Sequence, residues 1–93
     1  MENEIKKIWT QSNITSGSFY TVYHDNGIWV AGSNNNNGLY YSTDGKTWTQ
    51  SNITSDNFNT VYYDNGIWVA GSYSDKGLYY STDGKTWTQK QYN

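Results

Sequence analysis

The sequence predicts an all-β fold made of one unit used twice, and three observations carry that expectation. Trp9 to Thr47 and Trp48 to Thr86 are the same 39-residue stretch, identical at 31 positions. Self-similarity at this period marks an array of stacked supersecondary units. Ten Tyr, five Trp and two Phe dominate the apolar content, and with Thr, Val and Ile they suit a pleated surface. Helix formers are scarce, since Ala31 and Ala70 are the only alanines and Leu39 and Leu78 the only leucines.

Each unit divides into four strand-like runs. The first is Phe19 to His24, repeated at Phe58 to Tyr63. Asp25-Asn26-Gly27 and Asp64-Asn65-Gly66 follow, and Asn-Gly is the strongest short hairpin signal because a type I′ turn needs positive φ at both central residues. The second run is Ile28 to Ser33, repeated at Ile67 to Ser72. A loop, Asn34–Asn37 or Tyr73–Lys76, ends at a glycine. The third run is Leu39 to Ser42, repeated at Leu78 to Ser81. Thr43-Asp44-Gly45 turns into the fourth, Lys46 to Gln50, as Thr82-Asp83-Gly84 turns into Lys85 to Gln89. Four strands of about 5–6 residues and four loops of about 2–6 fill one unit. A four-stranded antiparallel meander of this size is the building block of a β-propeller. Runs such as IWVAG are continuously apolar, as expected of a sheet packed on both faces. The fourth-run pattern also occurs at Ile5 to Gln11 without its turn. The chain is thus expected to hold an N-terminal outer strand (1–11), one blade (12–50) and a second blade with a tail (51–93).

Composition excludes several functions. The formal net charge is −2, all six cations are lysines, and no basic run exceeds Lys6-Lys7. Bidentate arginine recognition of phosphate is absent, and so is a nucleic-acid footprint. There is no cysteine, hence no disulfide or thiolate metal site. No apolar stretch reaches the length of a membrane span or signal-peptide core. Soluble behaviour is expected, with location open and an extracellular or surface setting fitting a natural origin. Asn13-Ile14-Thr15 and Asn52-Ile53-Thr54 match the N-glycosylation pattern but read more simply as loop residues.

Ser42-Thr43-Asp44-Gly45-Lys46-Thr47-Trp48 and Ser81-Thr82-Asp83-Gly84-Lys85-Thr86-Trp87 resemble the Asp box, S-x-D-x-G-x-T-W, of neuraminidase-type propellers, with Asp one residue closer to Gly. The resemblance implies a box at the hairpin between a blade's third and fourth strands, where the runs independently place it. Its residues Ser42, Asp44, Gly45, Thr47 and Trp48, with Ser81, Asp83, Gly84, Thr86 and Trp87, are expected to be structural. Asp accepts turn N–H groups, Gly takes positive φ, and Trp packs between sheets. Sialidases of that family grip a carboxylate with arginines, which this chain lacks. A carboxylate pair flanking one sugar bond has no candidates either, because repeated Asp residues lie far apart and Glu2 and Glu4 sit at the terminus. His24, replaced by Tyr63 in the second copy, reads as a pendant ring. No catalytic residue, cofactor or metal site is expected.

The copies differ at Gly17/Asp56, Ser18/Asn57, Tyr20/Asn59, His24/Tyr63 and the loop pairs Asn34/Tyr73 to Asn37/Lys76. In a blade, the entry to the first strand and the loop between the second and third lie on one face, where propellers usually bind ligands. Tyr20, Asn34, Asn35, Asn36, Asn37, Asn59, Tyr73, Ser74, Asp75 and Lys76 are therefore the candidate binding surface, set against free drift of exposed loops. Two blades cannot close a ring, because propellers use about 4–8. Copies of the chain are expected to complete one as a cyclic homo-oligomer, a trimer or tetramer. The leading functional reading is a noncatalytic self-assembling module with lectin-like glycan or surface binding. The alternatives are an engineered or recently amplified scaffold without a ligand and, less favoured, a glycosidase fragment without catalytic residues.

Overall fold

A computed structural model describes residues 9–73 and 76–89. Among these residues there is no helix, and the chain forms two four-stranded antiparallel sheets in sequential order. The first holds β1 (Phe19–Asp25), β2 (Ile28–Ser33), β3 (Leu39–Ser42) and β4 (Thr49–Gln50); the second holds β5 (Phe58–Asp64), β6 (Ile67–Ser72), β7 (Leu78–Ser81) and β8 (Thr88–Gln89). Among the described residues, no helix is long and apolar enough to cross a membrane.

The hairpins follow from their turn residues. Asn26 and Gly27 sit at φ 50° and 80°, and Asn65 and Gly66 at 51° and 85°, the left-handed pair that a two-residue turn requires. β2 and β6 run over the expected residues, as do β3 and β7. The fourth run is shorter than its sequence suggests, with only Thr49–Gln50 and Thr88–Gln89 in strands. The preceding N–H groups are diverted from the ladder: those of Lys46 and Thr47 go to the Asp44 carboxylate and that of Trp48 to the Asn13 side chain. Of the expected N-terminal strand, Ile5 to Ile8 lies outside the described residues, and Trp9–Gln11 are not in a strand.

One irregularity organises the packing. The register of β1 on β2 shifts between Phe19 and Thr21, leaving Tyr20 as an extra residue, and β5 does the same at Asn59. Without this bulge, Phe19 and Val22 would point to opposite faces. With it they share one, as do Phe58 and Val61, both of which are buried.

The core lies between the sheets. Val30 and Leu39 from the first meet Phe58, Val61, Trp68, Ala70, Tyr79 and Trp87 from the second, with Tyr23, Ile28 and Ile53 packed at the margin. Backbone bonds register the two sheets: Leu39 N–H donates to Ile53 O (3.0 Å), Ser51 N–H to Leu39 O (2.8 Å) and Gly38 N–H to Asp56 O (3.0 Å). A Cβ at Gly38 would land on the Ile53 carbonyl, and one at Gly32 would lie 2.9 Å from Phe58 Cβ. These glycines are where the second unit's backbone approaches.

Candidate functional site

The Ser-Thr-Asp-Gly-Lys-Thr-Trp turns are closed, self-satisfied loops. Ser42 Oγ donates to Asp44 Oδ1 (2.9 Å) and accepts the N–H groups of Asp44 and Gly45; Asp44 Oδ1 also accepts those of Lys46 (2.8 Å) and Thr47 (2.9 Å). Ser81 and Asp83 repeat the pattern. Gly45 and Gly84 both take φ 79°. Trp48 Nε1 donates to Gly45 O, and Trp87 Nε1 to Gly84 O. The Thr47 N–H, then that of Lys46 and the Ser42 hydroxyl, hold the Asp44 carboxyl down at about 2; the same kind of contacts, led by the Thr86 N–H, lower Asp83. Charge-assisted bonds of this kind favour the carboxylate. With Oδ1 of each aspartate and the Oγ of each serine engaged within the turn, these groups order a loop.

The described ones among the expected ligand residues gather at one end of the sheets, and several are already engaged by neighbouring residues. Tyr20, at the bulge, lies 6.3 Å from Tyr73 ring to ring; Asn59, at the equivalent bulge, is exposed. Asn34 N–H donates to Ser18 O, and the N–H groups of Asn35 and Asn37 go to Ser33 Oγ. The Lys76 carbonyl accepts from Gln89, as that of Asn37 does from Gln50. Ser74 and Asp75 lie outside the described residues. Asn36, although exposed, bonds to the second unit. Its N–H donates to Asn57 Oδ1 (2.6 Å) and its side-chain oxygen accepts the Asp56 N–H (2.8 Å). Asp56, buried at φ 86°, also accepts from Ser72 Oγ and the Asn57 N–H. Differences between the units therefore serve a latch between the two sheets. Asp56 and Asn57 were visible in the sequence as two of the differing positions, but nothing in the spacing pairs them with Asn36.

Sequence reasoning singled out no candidate binding residue on the two outer faces of the pair. Val30 and Leu39 are both 0% exposed between the sheets, whereas their equivalents Val69 and Leu78 on the far side of the second sheet are 38% and 47% exposed. Phe58 and Val61 are 0% and 5% exposed, whereas Phe19 and Val22 on the far side of the first are 37% and 52%. That first face is concave: Ser12, Ile14, Phe19, Val22, Ala31, Tyr40 and Trp48 line a groove of ≈ 200 Å³. A signal existed in the sequence, since identical residues in two units predict that whatever packs between them recurs outside.

Tyr23 stands near the inner strands, 5.1 Å from Tyr62 and 6.1 Å from Trp68 ring to ring. Burial, then the neighbouring Tyr62 and the Asp25 and Asp64 carboxylates, raise its hydroxyl above the ordinary 10.0. His24 packs on Trp29 at 4.6 Å, as Tyr63 packs on Trp68 at 5.0 Å, so its ring fills the same place as the tyrosine. Among the described residues, no three His, Asp or Glu side chains group to hold a metal ion. No protein-family model matches the chain, and no curated protein or solved structure gives a significant match.

Proposed function

We propose that the chain is a noncatalytic, self-assembling module: two Asp-box propeller blades per copy, with further copies completing the ring. The observation that carries this reading is the pair of unburied apolar faces, one on each sheet, where large side chains stand 37–57% exposed (Phe19, Val22, Tyr62, Ile67, Val69, Leu78 and Tyr80). Apolar faces of this kind mark interaction sites. The Ser-Asp turns support the blade reading, since they sit between the third and fourth strands of each sheet. A ring of these units would present Tyr20, Tyr73 and the Asn34–Asn37 loops repeatedly around one end. Aromatic faces beside amide groups give that end a lectin-like chemistry for stacking on sugars and bonding hydroxyls.

The scaffold reading, assembly without a ligand, is favoured by one observation: Asn36, Asp56 and Asn57 are consumed in the latch between sheets. Multi-angle light scattering on the purified chain tests assembly, with a discrete mass of three or four times 10.7 kDa expected and a stable folded monomer contradicting it. A glycan array separates the two versions of the reading. Binding abolished by Tyr20→Ala with Tyr73→Ala supports the lectin-like one, and an assembled protein that binds no glycan leaves the scaffold.

A further inference from the structure

We infer that a second copy of this chain docks on the first through a head-to-tail junction that repeats the chain's own internal one. The outer face of β6 and β7, with Leu78 as its central side chain, seats in the groove behind β1 of the next copy. This rests on the assembly reading above and specifies its surfaces.

The argument is one of residue identity. The internal junction is formed by Ile28, Val30 and Leu39 against Ile53, Phe58, Val61, Trp68, Ala70, Tyr79 and Trp87. The outer face of the second sheet carries the same three aliphatics as Ile67, Val69 and Leu78, all exposed. The groove carries six of these seven receptors as Ile14, Phe19, Val22, Ala31, Tyr40 and Trp48, and the seventh, Trp29, packs on Gly45 as Trp68 packs on Gly84. One surface whose Val30 and Leu39 are fully buried on its counterpart inside the chain meets, the latch aside, the same apolar residue types on another copy. No equally complementary occupant is needed to explain either face.

Specific contacts fix the register. Ile28 Cγ2 lies 2.9 Å from the position of a Cβ on Gly84, so the Ser-Asp turn is trimmed to a glycine to admit it. Gly45 offers the same space to Ile67 of the next copy, because its own nearest neighbours are atoms of Trp29. Lys85 Nζ stands 5.9 Å over the Tyr41 ring across the internal junction; Lys46 would stand over the exposed Tyr80. The backbone bonds of Leu39 to Ile53 and Ser51 have their equivalents in Leu78 with Ile14 and Ser12. At the latch, Gly17 replaces Asp56 and already holds φ 97° against 86°, so the backbone shape persists without the carboxylate. The two surfaces differ from each other, so the contact is heterologous and propagates in one direction until it closes.

Two one-sided variants test this. Val22→Glu blocks the groove and Leu78→Glu blocks the inserting face. Both positions are about half exposed in the single chain, so each variant keeps its sheets by circular dichroism, whereas Leu39→Glu at the buried equivalent unfolds. Each variant alone should need at least about 100-fold higher concentration to associate in sedimentation velocity, since a carboxylate would be buried unpaired. Mixed together, they retain one intact groove and one intact face, and should form a 1:1 complex that grows no further. The circular-dichroism spectrum of each variant alone establishes that both partners in the mixture are folded. Wild-type assembly with both variants assembling normally, or with the mixture failing to pair, overturns the junction but leaves assembly standing. A wild-type monomer overturns the assembly reading itself.

Discussion

The Asp83 carboxylate accepts the N–H groups of Lys85 and Thr86 and the hydroxyl of Ser81, while Ser81 Oγ accepts two more N–H groups. Ser81 is buried, so Ser81→Ala leaves backbone donors without partners. The expected loss is about 1–3 kcal/mol, read as a lower urea midpoint. The lowered carboxyls of Asp44 and Asp83 set an acid dependence. A group whose folded pKa is depressed stabilises above its unfolded value, and that contribution disappears as pH falls through the folded one. Stability should therefore decline from about pH 5, through the ordinary value of 3.8, towards the folded value of about 2 at Asp44. The Asp44→Asn, Asp83→Asn double variant should be less stable near neutrality and show a flatter decline over that window. An unchanged slope would mean that other groups set the acid limit. This turn was legible in advance because its chemistry is local: one carboxylate, one hydroxyl and one glycine within seven residues. The Asn13 and Asn52 roles were not, because their partners Trp48 and Trp87 lie 35 residues away.

Among the elements, the hairpins and strand positions could be read from Asn-Gly turns and apolar runs, and the structure places β2, β3, β6 and β7 on those residues. The bulges at Tyr20 and Asn59 could not, since Phe and Val three residues apart break the period-2 pattern without showing which residue between them is the inserted one. The shortened β4 and β8 were hidden for another reason: Thr47 and Trp48 carry strand-like side chains, but their N–H groups are taken by Asp44 and Asn13. The outer strand is instead tied by Asn52, whose side chain accepts the Trp87 N–H (2.7 Å) and donates to Trp87 O (2.9 Å). Asn52→Ala removes both bonds at the entrance to β8 and should lower stability by about 1–3 kcal/mol in chemical denaturation. Between sheets, Gly38 is the critical position. Gly38→Ala combines strain at φ 79° with a collision against Ile53 and should cost at least about 2 kcal/mol. An alanine tolerated there would show that the two sheets do not pack as described.

For the whole molecule, the sequence made the number of units plain but left their closure open. Residue identity now links the two questions, because the buried surface between the units and the exposed surfaces outside them are composed of the same side chains. The candidate ligand loops divide accordingly. Tyr20, Tyr73 and Asn59 remain exposed at one end, while Asn36 is committed to the junction. Variation at Asn36, Asp56 and Asn57 thus falls at the seam between the two units. Native mass spectrometry over a dilution series tests the central claim most directly. Closure predicts a single species of three or four copies that persists on dilution, because every copy in a ring is held at two junctions. A ladder of all sizes would contradict closure, and a monomer at every concentration would contradict assembly.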